Sequence, residues 1–186
     1  MSILARLMAN KKHILGIDAS THTLAWCYMV DGVPIEWGEL DYSASSNQFV
    51  RLGSVQQRAG IIVDRYPDLD LVVIEAPVKV RNIRVAISLA YSYGIVASKF
   101  AANGIEVRDV SPITWQRYIG NPPFSAVEKK NLRSDYPNHT KSWYYNEIRK
   151  RRKQKTIDWV RSTYGITVES DNVSDSIGIA CYASKT

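Results

Sequence analysis

Long hydrophobic runs are missing from this sequence of 186 residues, and so are cysteine clusters and Gly-x-Gly segments. No apolar stretch approaches the ~20 residues that a membrane-spanning helix needs, so we expect a soluble protein without a membrane partner. The two cysteines, Cys27 and Cys181, are too few for a disulfide framework or a zinc cluster, and we interpret both as buried, reduced thiols of a cytoplasmic protein. With 45% hydrophobic residues, no internal repeat and no low-complexity linker, residues 1–186 fit one globular domain.

Positive charge is in excess and unevenly distributed. The chain has 24 Lys and Arg residues against 18 Asp and Glu residues, which gives a formal net charge of +6. Residues 149–155, RKRRKQK, hold six basic side chains in seven positions. A polyanion is therefore an expected partner, and nucleic acid is favoured over a membrane because no amphipathic anchor accompanies the basic run.

Hydrophobic periodicity predicts an α/β domain with a mixed, five-stranded sheet and helices on both faces. The Asp31–Gly32 pair between two strand-like segments predicts a tight hairpin turn, because these residue types tolerate positive φ. We expect residues 1–12 to be an irregular, disordered N-terminus and the polar segment 121–141, which contains three prolines, to be a loop. Strands are predicted at residues 13–18, 23–30, 33–40, 69–77 and 104–110, and helices at residues 48–65, 83–102, 112–120, 142–163 and 171–184.

Two of the predicted strands end on a carboxylate. Asp18 follows the apolar run ILGI, and Glu75 follows LVVI. As parallel neighbours, these strands would bring both acids to the same end of the sheet, while Asp171 and Asp175 share one face of the first turn of the last helix. Carboxylates suit hard cations such as Mg²⁺, and two such ions roughly 4 Å apart can hydrolyse a phosphodiester.

Each acid also has an ordinary structural interpretation. Asp171 can be a helix N-cap, and Asp175 can be favoured by the helix dipole. Asp18 can cap a turn, and Glu75 can be a solvated strand end. Residues 18–21, Asp-Ala-Ser-Thr, can alternatively begin a loop that wraps a nucleotide phosphate. The combination of two apolar strands that end in acids with an acidic helix start favours the metal site.

Four segments, in their order and spacing, resemble the RuvC-type Holliday junction resolvases, including their phage members. They cover nearly the whole chain and are ILGIDAST…LAWCYMV, LVVIEAP, LAYSYGIVASKFAANGIEVRDVSPITWQRYIG and DNVSDSIGIACYA. The resemblance implies a ribonuclease H-like fold, a homodimer that acts on four-way DNA junctions in recombination and repair, and cleavage with two Mg²⁺ or Mn²⁺ ions. Gly94 matches the glycine of the helix that the family uses in dimer packing, although packing within one chain explains a glycine there equally well.

The same resemblance assigns the site residues. Asp18, Glu75 and Asp175 match the metal ligands of the family. The fourth ligand lies three residues before the last Asp, and this chain has Asn172 at that position. Asp171 is one residue earlier; we favour Asp171, with Asn172 as its rival. The expected catalytic and metal-binding residues are therefore Asp18, Glu75, Asp171 and Asp175.

Basic residues near the acidic segments are the expected DNA contacts. The run at residues 149–155 precedes the acidic last helix, so it can flank the metal site with charge that binds phosphate; an ordinary solvated helix face is the alternative. Aromatic residues interleaved with this helix either stack on unpaired bases or form its buried side, and they are Trp143, Tyr144, Tyr145 and Trp159. The expected DNA-binding residues are Lys79, Arg81, Arg84, Lys141, Arg149, Arg151, Arg152, Lys153 and Lys155.

We therefore predict a metal-dependent, structure-selective endonuclease that resolves four-way DNA junctions by paired phosphodiester hydrolysis. No histidine is required as a base, and we expect His13, His22 and His139 in core or surface roles. A ribonuclease H-like nuclease for RNA–DNA hybrids or other branched DNA, and a junction-binding protein without activity, are the alternatives. A sugar-kinase-like or actin-like ATPase is disfavoured because such proteins need two domains and a second phosphate loop, usually glycine-rich.

Overall fold

A five-stranded mixed sheet forms the centre of the domain. The computed structural model of the chain describes residues 11–77 and 82–186. The first three strands form an antiparallel meander, and the other two add in parallel beside the first, in the order β3-β2-β1-β4-β5. The strands are β1 (His13–Ala19), β2 (Thr23–Val30), β3 (Val33–Asp41), β4 (Leu71–Glu75) and β5 (Glu106–Val110).

The structure confirms the predicted sheet and hairpin. Asp31 and Gly32 have φ values of 51° and 80°, as a tight turn between β2 and β3 requires. Of residues 1–12, which we expect to be disordered, residues 1–10 lie outside the described residues. Lys12 is described, and its backbone N–H donates to Asp31 Oδ1 at 3.0 Å.

Six helices of the described residues surround the sheet. They are α1 (Gln48–Arg65), α2 (Ile83–Ala101), α3 (Pro112–Tyr118), α4 (Ala126–Asp135), α5 (Lys141–Tyr164) and α6 (Asp171–Lys185). α1 and α2 pack on one face of the sheet, while α6 crosses the other face with α3 and α5 beside it. The predicted placement of helices on both faces is confirmed. Among residues 11–77 and 82–186, none of the helices has the hydrophobic length that a membrane span requires.

Alternation along β1 determines which residues face each layer. Leu15 and Ile17 are fully buried against α1 and α2, so Ile14, Gly16 and Asp18 face α6. A Cβ atom on Gly16 would lie 2.5 Å from the backbone nitrogen of Ala180 in α6. Because Gly16 has no side chain, α6 lies directly on β1, and this close packing brings the first turns of α6 to the end of β1 where Asp18 stands.

The prediction of a loop over residues 121–141 is wrong at its centre, where α4 lies. Ser125 begins this helix with a capping box: its Oγ accepts from the Glu128 N–H at 3.2 Å, and the Glu128 carboxylate accepts from the Ser125 N–H at 2.7 Å. Leu132 is the buried residue of α4. With so few apolar contacts, the segment has no apolar periodicity from which a helix could be predicted.

Candidate active site

Asp18 and Glu75 lie side by side at the carboxyl ends of the two central parallel strands. β1 and β4 pair through Ile17 and Ile74, so the two acids occupy the next position on each strand. Ile17 and Ile74 face α1 and α2, and the acids that follow them therefore face α6. Asp18 does not cap the turn after β1, because Ser20 Oγ accepts the backbone hydrogen bonds of that turn. Glu75 is half-buried, so it is not a solvated strand end.

Asp175 reaches the same place from α6. Burial, and then the charges of Asp18 and Glu75, raise the pKa of the Asp175 carboxyl well above its ordinary value. Burial, followed by the charge of Glu75, raises the pKa of Asp18 to about 7. The three carboxyl groups thus lie where ionisation makes them repel one another, and a bound cation would relieve this repulsion.

Two neighbouring side chains interact with these acids, and the sequence analysis did not single out either of them. The indole N–H of Trp115, which is fully buried, donates to Glu75 Oε2 at 2.7 Å. Burial raises the pKa of Glu75, and the Trp115 hydrogen bond opposes that shift. The buried Thr156 hydroxyl lies beside Asp175, and this contact partly opposes the rise in the pKa of Asp175. No local sequence pattern links either residue to its distant carboxylate.

A cleft of about 680 Å³ opens over Glu75 and Asp175, and one of its walls is positively charged. Arg149, Arg152 and Lys153 of α5 line this wall. Burial lowers the pKa of both Arg152 and Lys153, and the nearby carboxylates oppose the shift. The predicted basic helix therefore does flank the predicted acids, and the cleft can hold a phosphate group against both.

Asp171 and Asn172, the two candidates for a fourth ligand, both have other partners. Asp171 forms an ion pair with Lys153 and lines a separate cavity beside the cleft. The Asn172 amide donates to Glu39 Oε1 at 2.6 Å. The N-cap of α6 is Ser170, so the alternative interpretation of Asp171 as an N-cap is wrong. The structure thus brings together three of the four predicted acids and places Asp171 apart from them.

Glu39 is an acid near the site that the sequence analysis missed. Glu39 of β3 pairs with Ala25 of β2, and Ala25 pairs with Asp18 of β1. These three residues form one row across the sheet, and their side chains face α6. Ser170 Oγ donates to the Glu39 carboxylate at 2.6 Å, beside the Asn172 amide. The charge of Glu39 also contributes to the raised pKa of Asp18. Glu39 therefore ties the start of α6 to the sheet and adds negative charge to the site.

Two of the other predicted DNA-binding residues, Arg151 and Lys155, do not line the cleft over the acids. Arg151 and Lys155 line a groove between α4 and α5 on a different side of α5. Arg151 pairs with Glu147, and Lys155 lies 3.9 Å from Glu128. The remaining predicted residues are Arg84 and Lys141, which are exposed in the first turns of α2 and α5, and Lys79 and Arg81, which lie outside the described residues.

The donor chemistry of the site fits a hard cation. Within residues 11–77 and 82–186, no three His, Cys, Asp or Glu side chains stand in a position to hold one metal ion together. However, Asp18, Glu75 and Asp175 supply only carboxylate oxygens, which Mg²⁺ and Mn²⁺ accept. The three carboxylates are half-buried and repel one another, which favours a cation between them. To coordinate that cation together, their side chains would have to move closer to one another.

Comparison with known proteins supports the assignment of the fold. Neither a scan of family sequence models nor a search of curated proteins gives a match. Among solved structures, T. thermophilus RuvC in complex with Holliday junction substrate matches with a TM-score of 0.65 at 14% identity, over 91% of this chain and 90% of that one. A second Thermus thermophilus RuvC structure matches with a TM-score of 0.62 at 14% identity, over 91% of both chains. The yeast mitochondrial Holliday junction resolvase Ydc2 matches with a TM-score of 0.55 at 10% identity, over 94% of this chain and 79% of that one.

The fold that the sequence motifs implied is therefore confirmed in three dimensions. The mixed five-stranded sheet with helices on both faces is the ribonuclease H-like fold of RuvC. In this fold, the chain places Asp18, Glu75 and Asp175 at one end of the sheet, next to a wall of cations.

Proposed function

We propose that the chain is a metal-dependent endonuclease that resolves four-way DNA junctions by paired phosphodiester hydrolysis. The main support for this proposal is that Asp18, Glu75 and Asp175, which come from β1, β4 and α6, lie together beside a cleft with a cationic wall. The structures that share the fold include RuvC with a Holliday junction substrate and a mitochondrial Holliday junction resolvase. These neighbours support branched DNA, rather than another phosphodiester, as the substrate.

Mg²⁺ is the proposed cofactor, two ions per site, with Mn²⁺ as its substitute. Asp18, Glu75 and Asp175 would hold it, because hard cations take carboxylate oxygens together with substrate phosphate and water. When bound, the ions supply an activated water for attack on the phosphodiester and stabilise the leaving oxygen. Asp171 is the proposed fourth ligand, and it must give up its ion pair with Lys153 to take that role.

The side chains of this chain position the reacting groups. The Trp115 N–H holds the Glu75 carboxylate in one orientation. Arg149, Arg152 and Lys153 offset the charge of the phosphate in the cleft, where electrostatic stabilisation is stronger than in open water. These cations contact the DNA backbone rather than base edges, and such contacts position DNA without reading its sequence. An enzyme that selects its substrate by shape needs contacts of this type.

A substrate comparison tests the proposal. A four-way junction, a linear duplex and an RNA–DNA hybrid of matched sequence are incubated with Mg²⁺, with Mn²⁺ or with EDTA. We expect paired nicks in the junction with either ion, little cleavage of the duplex, and none in EDTA. Preferred cleavage of the hybrid would instead assign ribonuclease H activity, and tight junction binding without cleavage would indicate a binding protein.

A homodimer is the proposed active form, because two paired nicks require two sites. α2 carries an exposed row along one face, formed by Ile83, Ile87, Tyr91 and Gly94. A Cβ atom on Gly94 would meet nothing within 4 Å, so packing among the described residues does not explain this glycine. The row can therefore receive the α2 helix of a second copy at close range.

Substitution in this row should separate the two copies. We expect light scattering to give twice 21.0 kDa for the wild-type protein and 21.0 kDa for Ile87→Glu, because a buried charge opposes the association. Ile113→Glu, at a similarly exposed isoleucine of α3, is the matched control and should remain a dimer. A monomeric wild-type protein, or an Ile87→Glu variant that stays dimeric, would contradict the α2 interface.

The cytoplasm is the proposed location. Cys27 and Cys181 are both free and buried, as the sequence predicts. Buried free thiols are typical of a reducing compartment, where disulfides rarely persist.

A further inference from the structure

The facing surfaces of α4 and α5 form a second cavity, of about 410 Å³, beside the cleft. Leu132 of α4, which is buried, and Ile148 of α5 make part of its wall apolar. Tyr144 and Tyr145 of α5 add two aromatic rings. The volume lies in the range of roughly 300–1,000 Å³ that is typical of sites for small organic molecules. The cavity is therefore large enough for a planar ring, and its lining suits one.

The charged residues that line this cavity are all cations, namely Lys129, Arg133 and Lys141. The other groove between the same two helices contains acids as well, Glu128 and Asp158 among them. Positive charge is thus concentrated on the side of the α4–α5 pair that forms the first cavity, and it is not spread evenly around α5. It favours an anionic ligand that also presents an apolar, planar group, and a nucleotide has both features.

The cavity adjoins the cleft of the active site. Lys129, Tyr145 and Ile148 line both spaces. DNA that places a phosphate beside Glu75 and Asp175 can extend a neighbouring nucleotide along these shared residues toward the cavity. Tyr145 stands at this boundary with 76% of its surface exposed, which leaves its ring free to meet a base.

We propose that this cavity receives an unpaired nucleobase next to the scissile phosphate, and that Tyr145 stacks on that base. The inference rests on the proposed junction-cleaving function, since a base that is already unpaired is the least costly to unstack and move out. Stacking is compatible with any sequence because every base has a π-face. Tyr144 is less suited to the role, because its hydroxyl donates to the Tyr136 backbone oxygen and its ring packs edge-on against Trp143.

The test compares full-length wild-type protein, Tyr145→Ala and Tyr145→Phe in EDTA, so that no cleavage occurs. Fluorescence anisotropy measures binding to a four-way junction and to a linear duplex of the same sequence. Tyr145→Ala should weaken junction binding about 5- to 100-fold, the loss expected for one base–aromatic stack, and should leave duplex binding within about twofold. Tyr145→Phe keeps the ring and should bind both DNAs like the wild-type protein. An aminopurine at the branch point should be quenched by the wild-type protein and by Tyr145→Phe but not by Tyr145→Ala.

Three results would overturn the nucleobase site: normal junction binding by Tyr145→Ala, equal loss on junction and duplex, or loss in Tyr145→Phe as large as in Tyr145→Ala. Because Tyr145 is exposed, its variants should melt like the wild-type protein, and folding does not confuse the comparison. The experiment also distinguishes a failure of the nucleobase site from a failure of the proposed nuclease activity. A wild-type protein that quenches the aminopurine but does not cut the junction with Mg²⁺ would support the nucleobase site and contradict the nuclease.

Discussion

Asp18→Asn should reduce cleavage of a four-way junction by roughly a thousandfold or more while leaving junction binding in EDTA unchanged. A bound metal ion supplies several kcal/mol of transition-state stabilisation, and each ~1.4 kcal/mol corresponds to a factor of ten in rate. Asp18 lies between Glu75 and Glu39 in the row of residues that faces α6, so it is the central carboxylate of the site. Single-turnover rates measured with saturating protein separate the loss of cleavage from any change in binding.

The same substitution should stabilise the protein in the absence of metal. Burial and the charge of Glu75 raise the pKa of Asp18 to about 7. Between about pH 4 and pH 7, the folded protein therefore keeps a proton that the unfolded chain has lost. The free energy of unfolding falls as the pH rises through this window, and a neutral Asn removes that loss. A rise of roughly three pKa units corresponds to at most about 4 kcal/mol, so at about pH 8 we expect a gain of about 1–4 kcal/mol and a rise in Tm of about 2–16 °C.

The matched control is Asp109→Asn, an exposed acid on β5 that faces the opposite side of the sheet from Val110. It should change neither cleavage nor Tm. At about pH 4 the thermal advantage of Asp18→Asn should disappear, because the wild-type carboxyl is then protonated in the folded protein. An Asp18→Asn variant that cleaves normally, or one that is less stable than the wild-type protein at about pH 8, would contradict the site as described.

Gly16→Ala should lower the free energy of unfolding by about 3 kcal/mol, near the top of the range for overpacking a core. The added Cβ would lie 2.5 Å from the backbone nitrogen of Ala180 and 2.8 Å from its Cβ. Backbone atoms cannot rotate away, so α6 must move off β1. Since α6 carries Asp175, we also expect junction cleavage to fall by more than the loss of folded protein explains. Chemical denaturation and the cleavage rate at a temperature where the variant is folded measure the two effects.

Gly53→Ala is the control for the glycine substitution. Gly53 lies in α1, and a Cβ there would meet nothing within 4 Å. Replacement should stabilise the helix by about 0.5–1 kcal/mol, because alanine loses less conformational freedom than glycine. Equal stability of Gly16→Ala and the wild-type protein would show that α6 does not depend on close contact with β1.

The backbone frame of the site could be predicted from the sequence because its cues are local. ILGID and LVVIE each combine an apolar run with a terminal acid, and parallel pairing of the two strands then places Asp18 beside Glu75. The acidic start and apolar body of α6 are equally local features. Their meeting point follows from strand polarity, without knowledge of any particular side-chain contact.

Glu39 could not be predicted in the same way, because a β-bulge changes the register of the hairpin. The Asp31–Gly32 turn pairs Val30 with Val33, and uninterrupted pairing would place Gly38 opposite Ala25. The register shifts between Tyr28 and Met29, so Ala25 instead pairs with Glu39. A shift of one residue exchanges the two faces of a strand, and only the bulge turns Glu39 toward Asp18.

The contacts of Trp115, Lys153 and Asp171 are long-range and depend on how the helices pack. Trp115 donates to Glu75 because α3 lies under the end of β4, a placement that no spacing in the sequence encodes. The basic run at residues 149–155 indicates an anionic partner, but Lys153 also pairs with Asp171 within the chain. Which member of a charge run turns inward is decided by tertiary packing.

Calorimetric titration of Mn²⁺ into wild-type protein and Asp175→Asn, at about pH 8 and about pH 6, shows whether Asp18, Glu75 and Asp175 hold a cation together. Metal binding requires ionised carboxylates, so wild-type binding should be weaker at about pH 6 and should release protons there, because the pKa of Asp18 is about 7. Asp175→Asn should weaken binding by at least about tenfold at either pH. Equal binding by both proteins, or no binding by the wild-type protein at about pH 8, would contradict the account.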